Sequence, residues 1–279
     1  MESSWDCTLE TCPIEYAVFG YRPSLPANII FTALFGLCAL TQVAEMGIFR
    51  SYTFSIPVIL GGICEVVGYV GRILLYDNPF SQDAFLIQIC CLTIAPAFYS
   101  AAIYFCIADI VKLLGPEASR LKPHHYAWIF IPCDVISLIL QGAGGGIASV
   151  ASQENEDPTT GTNVMVAGLV FQVFSLLMFI LLTLEFLWRV RNKRPKSISD
   201  ESIKEKSSSR HQKFLLFGIP FALAILCIFI RCAFRVAELS NGWTGELIKH
   251  EDTFIALEGA MIAVSGVALN ISHPKLLSS

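Results

Sequence analysis

Seven stretches of this chain are each long and apolar enough to cross a bilayer: 26–46, 52–76, 84–114, 126–150, 164–188, 214–238 and 254–271. A helix needs about 20 apolar residues to cover ~30 Å of hydrocarbon. Backbone amides find no water there, so each stretch must satisfy itself as a helix. The expected fold is therefore all-α: a polytopic membrane protein with seven transmembrane helices. An N-tail occupies 1–25, the transmembrane domain 26–272 with a basic loop at 189–213, and a C-tail 273–279. Pro57, Pro96, Pro132 and Pro220 fall inside the spans, where neighbouring helices tolerate them. Only 15% of residues are charged, against about 25% in soluble domains. That excludes disordered and disulfide-stapled chains and argues against a soluble enzyme. No global basic excess points to nucleic acid.

Loop charge predicts orientation. The N-tail and the second, fourth and sixth loops hold two Lys/Arg residues, Arg22 and Lys249; the other loops and the C-tail hold fourteen, nine of them in 189–213. Basic loops stay cytosolic, so the N-terminus is expected outside and the C-terminus in the cytosol. No positively charged leader precedes the first span, which would act as its own signal anchor. Eight of the ten cysteines lie in spans and suit packing. Cys7 and Cys12 lie in the outer tail, where a local disulfide is open to them. No spacing suggests a metal or other cofactor. The serines of the basic loop leave two readings: a solvated topology signal, or an anionic-lipid contact released by phosphorylation.

Ionisable and amide groups within the spans are costly and mark candidate sites. The ligand-binding candidates are Glu65, Arg72, Gln88, Asp134, Gln141, Gln172, Arg231, Arg235, Glu238 and Glu258. Glu65 and Arg72 share a helix face, as do Asp134 and Gln141, and Arg231, Arg235 and Glu238 form one stripe. Counted from the cytosolic ends, most of these groups reach similar outer depths. That pattern fits a polar cavity open toward the outer leaflet, or an internal ion-pair network that fixes packing. The arginines could grip a phosphate or carboxylate head. The run Gln141-Gly142-Ala143-Gly144-Gly145-Gly146 reads either as a close-packing surface through Gly142 and Gly146 or as an unwound stretch.

Several motifs carry a resemblance: Gly20-Tyr21-Arg22-Pro23-Ser24-Leu25-Pro26-Ala27-Asn28, Glu65-Val66-Val67-Gly68-Tyr69-Val70-Gly71-Arg72, and Ala95-Pro96 with Ala101-Ala102-Ile103-Tyr104. They continue with Asp134-Val135-Ile136-Ser137, the glycine run, and Arg231-Cys232-Ala233-Phe234-Arg235-Val236-Ala237-Glu238, then Gly242, Gly245 and Glu258. In order and number these resemble the fungal lipid-translocating exporter family, seven-span proteins of sphingoid long-chain-base, aminocholesterol and molasses resistance. Where family members carry a Gly-Arg pair near the cytosolic end of the third span, this chain has Cys106-Ile107-Ala108-Asp109. The resemblance implies a fungal plasma-membrane protein handling amphipaths, whether sphingoid bases, sterol-like toxins or porphyrins, with membrane lipids as partners. Two functions compete: a translocator conferring resistance, and a seven-helix lipid-sensing receptor or regulator without transport activity. No P-loop is present, so active export would need protons or another gradient, with Glu65, Asp134 and Glu258 as possible carriers. A membrane enzyme is disfavoured, because no nucleophile or metal constellation stands out.

Overall fold

The computed structural model describes residues 12–14, 17, 19–115, 117, 119–154, 156–193, 201–240 and 250–274; at 152, 153, 193 and 201–216 only the backbone is described. Cys7, Gly242, Gly245, Lys249, the acidic N-tail residues and the loop at 194–200 lie outside these residues. Seven long helices run in alternating directions: α1 (Leu25–Phe49), α2 (Tyr52–Asp77), α3 (Gln82–Leu114), α4 (Pro123–Gln153), α5 (Thr159–Lys193), α6 (Glu201–Ser240) and α7 (Glu251–Ile271). All seven contain windows long and apolar enough to cross a membrane, and no strand occurs among the described residues. The chain is a multi-pass membrane protein.

The helices overrun the apolar windows at several ends. α6 begins at Glu201 rather than 214, inside the expected basic loop. A hydropathy window sees only the stretch that needs hydrocarbon, whereas a Lys-, Glu- and Ser-containing helix continues freely into water. α1 and α4 carry Pro26 and Pro123 in their first turns, where a missing N–H costs nothing. Ser81 caps α3 by accepting the Ala84 N–H at 3.3 Å. Inside α7 the backbone widens to a π-helix over Phe254–Ala260 before returning to α at Met261–Ile271. Such wide turns are rare and often mark functional positions.

Each helix packs on its sequence neighbour, α7 closes the ring on α1, and α3 touches α6 across the middle. The bundle reverses the soluble pattern. Ile30, Leu40, Ile139 and Ile219 face outward, while Asn28, Gln42, Glu65, Arg72 and Asp134 are buried. Lipid tails exert no hydrophobic preference between helices, so close packing and polar contacts hold them together.

The glycine run is helical throughout, so the unwound reading is overturned. Nor do Gly142 and Gly146 make the close approach, because both face open space. Gly144 does: a methyl group there would lie 2.6 Å from the Gly161 carbonyl of α5. The buried face of α4 runs through Gln141, Gly144 and Ala148, at i, i+3 and i+7. Gly142 and Gly146 are turned away from it.

The end of the bundle where α1 begins is called here the Leu25 end, and the opposite one the Phe49 end. Phe49 stacks on His273 at the latter, with ring centroids 4.7 Å apart. Lys112, Arg120, Lys122 and Arg189 gather there, with Trp128 and Trp188 exposed nearby. Basic residues with an aromatic girdle suit a membrane–water boundary.

Candidate functional site

The buried charge converges toward the Leu25 end. Arg231, Arg235 and Glu238 recur along one face of α6, opposite Glu258 on the π-helical turn of α7. α2 brings Glu65, Tyr69 and Arg72, α3 brings Gln88, and the segment before α1 brings Phe19, Tyr21 and Arg22.

Each buried arginine has a carboxylate. Arg231 Nη2 donates to Glu258 Oε1 and to the Leu92 carbonyl of α3, both at 2.5 Å. One guanidinium therefore ties three helices together. Arg235 Nη1 donates to Glu238 Oε2 at 2.6 Å, and its Nε lies 3.8 Å from Glu258 Oε2. Arg72, with a fully buried side chain, lies 3.5 Å from Glu251 Oε1 and donates to the Tyr21 hydroxyl at 2.8 Å. Its guanidinium also sits 3.8 Å from the centre of the Phe254 ring, a cation–π contact strengthened by dehydration.

The chain before α1 fastens this end. Arg22 Nε donates to the Tyr76 carbonyl at 2.7 Å, with its guanidinium 3.6 Å from the centre of the Tyr76 ring. The Ser24 N–H donates to Glu251 Oε1 at 2.6 Å. Burial pushes the Tyr21 hydroxyl above the ordinary phenol range, against the opposing pull of Arg72. Tyr21 is therefore a neutral phenol that accepts from Arg72. Phe19 meets Phe85 edge-on at 5.5 Å.

Glu65 and Arg72 share a face of α2 but do not pair with each other. Arg72 turns toward Glu251, while Glu65 lies about two helical turns deeper, 2% exposed, with Oε1 unbonded. Asp134 is likewise buried at 5%, beside Tyr104, with Oδ2 unbonded. No ion pair to either acid lies within 4 Å among the described residues. Gln141 Nε2 donates to Gln172 Oε1 at 3.0 Å across the α4–α5 contact. Glu238, near the end of α6, is 5% exposed and lines a cleft with Phe19 and Tyr21 of the N-terminal segment and Gln88 of α3.

The structure thus brings Glu65, Arg72, Gln88, Arg231, Arg235, Glu238 and Glu258 into one region. Asp134 sits near Cys232 on another side of α6, and Gln141 and Gln172 between α4 and α5. Instead of an open cavity, the polar groups pack on one another. Tyr21, Gln88, Arg235, Glu238 and Phe254, among others, line a small cleft at this end. Glu251 was not singled out from sequence, because it precedes the apolar window. Tyr21 and Arg22 stood in a quoted motif without a role. Cys12 is disulfide-bonded, and the eight cysteines from Cys38 to Cys232 are free.

A family model described as RTA1-like protein matches residues 58–279. The sphingoid long-chain base transporter RSB1 of Saccharomyces cerevisiae (strain Lalvin EC1118 / Prise de mousse) is 38% identical over 91% of this chain and 72% of its own length. Protein RTM1 of Saccharomyces cerevisiae is 30% identical over 71% of this chain and 61% of its own. Protoporphyrin uptake protein 1 of Saccharomyces cerevisiae (strain ATCC 204508 / S288c) is 30% identical over 70% of this chain and 60% of its own. No solved structure matches significantly. With seven spans, the buried motif residues in place and this extent of similarity, the chain belongs to the RTA1-like protein family.

Proposed function

We propose that the chain translocates a cationic single-chain amphipath, a sphingoid long-chain base being the type, in a plasma membrane with its N-terminus outside. One observation carries this reading. The three buried arginines each hold a carboxylate, while Glu65 and Asp134 are buried acids without a basic partner. A carboxylate in hydrocarbon needs a counter-charge, and an ammonium head supplies one. An anionic head would have to compete with Glu251, Glu258 or Glu238, each already paired with an arginine. The name of the 38% identical relative supports the same substrate class. Gln88, Gln141 and Gln172 add hydrogen-bonding groups at the margins of such a path.

Purified protein in phosphatidylcholine liposomes should transfer a labelled sphingoid base between leaflets without other components. Asp134→Asn keeps shape and removes charge. It should lower transfer by at least about tenfold, since an unpaired ammonium at that depth costs a few kcal/mol. Transfer unchanged in both Asp134→Asn and Glu65→Gln would overturn the assignment of the acids. Binding without any transfer would replace the translocator by a lipid sensor.

A further inference from the structure

Leaving aside exposed groups such as Arg22 and Asp252, four carboxylates (Glu65, Glu238, Glu251 and Glu258) share this end of the bundle with three arginines (Arg72, Arg231 and Arg235). The three short pairs consume three acids. Glu65 is the remainder, 2% exposed, with Oε1 making no hydrogen bond. Net charge in a dry interior is expensive. The cluster is neutral only when Glu65 holds a proton or a cation lies against it.

We propose that the protein is an exchanger: each amphipathic cation carried through the bundle replaces one proton on Glu65, so that the buried cluster stays neutral in both states. This rests on the transport reading above. In the exchange the O–H bond of the Glu65 carboxyl breaks and its proton leaves for water on the side from which the cation enters. The resulting carboxylate pairs with the ammonium. On release of the cation, a proton from the other side restores the acid. No electrons move and charge is conserved at every stage.

The surroundings of Glu65 suit such a switch. On its own helix it faces Tyr69 and Cys64, and from α3 Tyr99 and Cys91. α6 presents Arg231 and α7 presents Glu258. From α1 the Phe31 ring tilts against Tyr69, the Phe35 ring stacks on it, and Cys38 lies by Tyr99. Arg231 is the single cation in this set. It is bonded to Glu258 through Nη2, while its Nε has no partner. A deprotonated Glu65 offers Arg231 a second carboxylate and competes with Glu258 for it. Glu258 lies on the π-helical turn of α7, where one helical register can relax into another. Arg231 also holds the α3 backbone at Leu92. The protonation state of one residue thereby bears on the contacts among α3, α6 and α7.

The test uses the purified full chain in phosphatidylcholine liposomes with N,N,N-trimethylsphingosine, a permanent cation that carries no exchangeable ammonium proton. Internal pH and label are followed together. The expected result is counter-movement of about one proton per cation, the ratio that keeps the site neutral, and a label gradient driven by an imposed pH step. Glu65→Asp should keep the ratio. Glu65→Gln should lower coupled proton movement by at least about tenfold. Cation transfer by the wild-type protein without proton movement would overturn exchange and leave the translocator standing. Proton coupling that survives in Glu65→Gln would overturn the assignment to Glu65. No transfer of any cation would overturn both readings. The wild-type ratio decides even if Glu65→Gln fails to fold.

Discussion

Arg231 and Glu258 are 4% and 3% exposed in their side chains near the Leu25 end, whereas Lys112 and Asp109 at the Phe49 end are 60% and 53% exposed. Both pairs are short salt bridges, and by distance alone they look equivalent. Burial separates them. An exposed pair exchanges water contacts for one another and is screened by salt. A buried pair has already lost its water, so each partner depends on the other. The Arg120–Glu185–Arg189 group is intermediate, with Glu185 28% exposed. It sits where α5 leaves the apolar window, and it serves the membrane boundary rather than the interior. The same residue types thus act as cohesive, fold-determining contacts at one end and as interfacial charge at the other.

The largest expected effect breaks the buried side of this contrast. Glu65→Gln combined with Glu258→Gln removes both carboxylates near Arg231 and should destabilise the protein by about 3–5 kcal/mol. Unfolding in mixed micelles at increasing denaturing detergent measures it. A loss as small as that of an exposed pair would show that water reaches Arg231. A smaller effect is expected from Tyr21→Phe, which removes the hydroxyl that accepts from Arg72. Hydrogen bonds to charged groups contribute about 1.5–3 kcal/mol. Hydrogen exchange of the backbone amides near Tyr21 and Ser24 should speed up, because the fastening of this segment is weakened. The smallest effect belongs to Lys112→Ala, about 0–1 kcal/mol. It should vanish between about 0.1 M and 1 M salt, as the screening length falls from ~10 Å to ~3 Å. The double variant should keep its full effect over the same range. Equal salt sensitivity at the two ends would remove the distinction between them.

The seven spans, the membrane class and the list of buried charges were legible in the sequence. Hydrocarbon thickness sets the length of an apolar run, and the absence of water sets its helicity. The stripe of Arg231, Arg235 and Glu238 was equally legible, since a single helix places those positions on one face. Partnership was not. Arg72 shares a face with Glu65 and yet meets Glu251, 179 positions away, and Arg231 meets Glu258, 27 positions away. Helical spacing orders residues along one element, but an ion pair across elements depends on how helices are rotated and how deep each one sits. That is decided by packing such as the Gly144–Gly161 contact and the π-helical turn beneath Glu258. The sequence by itself determined that this chain would bury charge in a membrane. Only the tertiary structure decided which acids would be left without an arginine, because that remainder is a property of the assembled bundle and of no single helix.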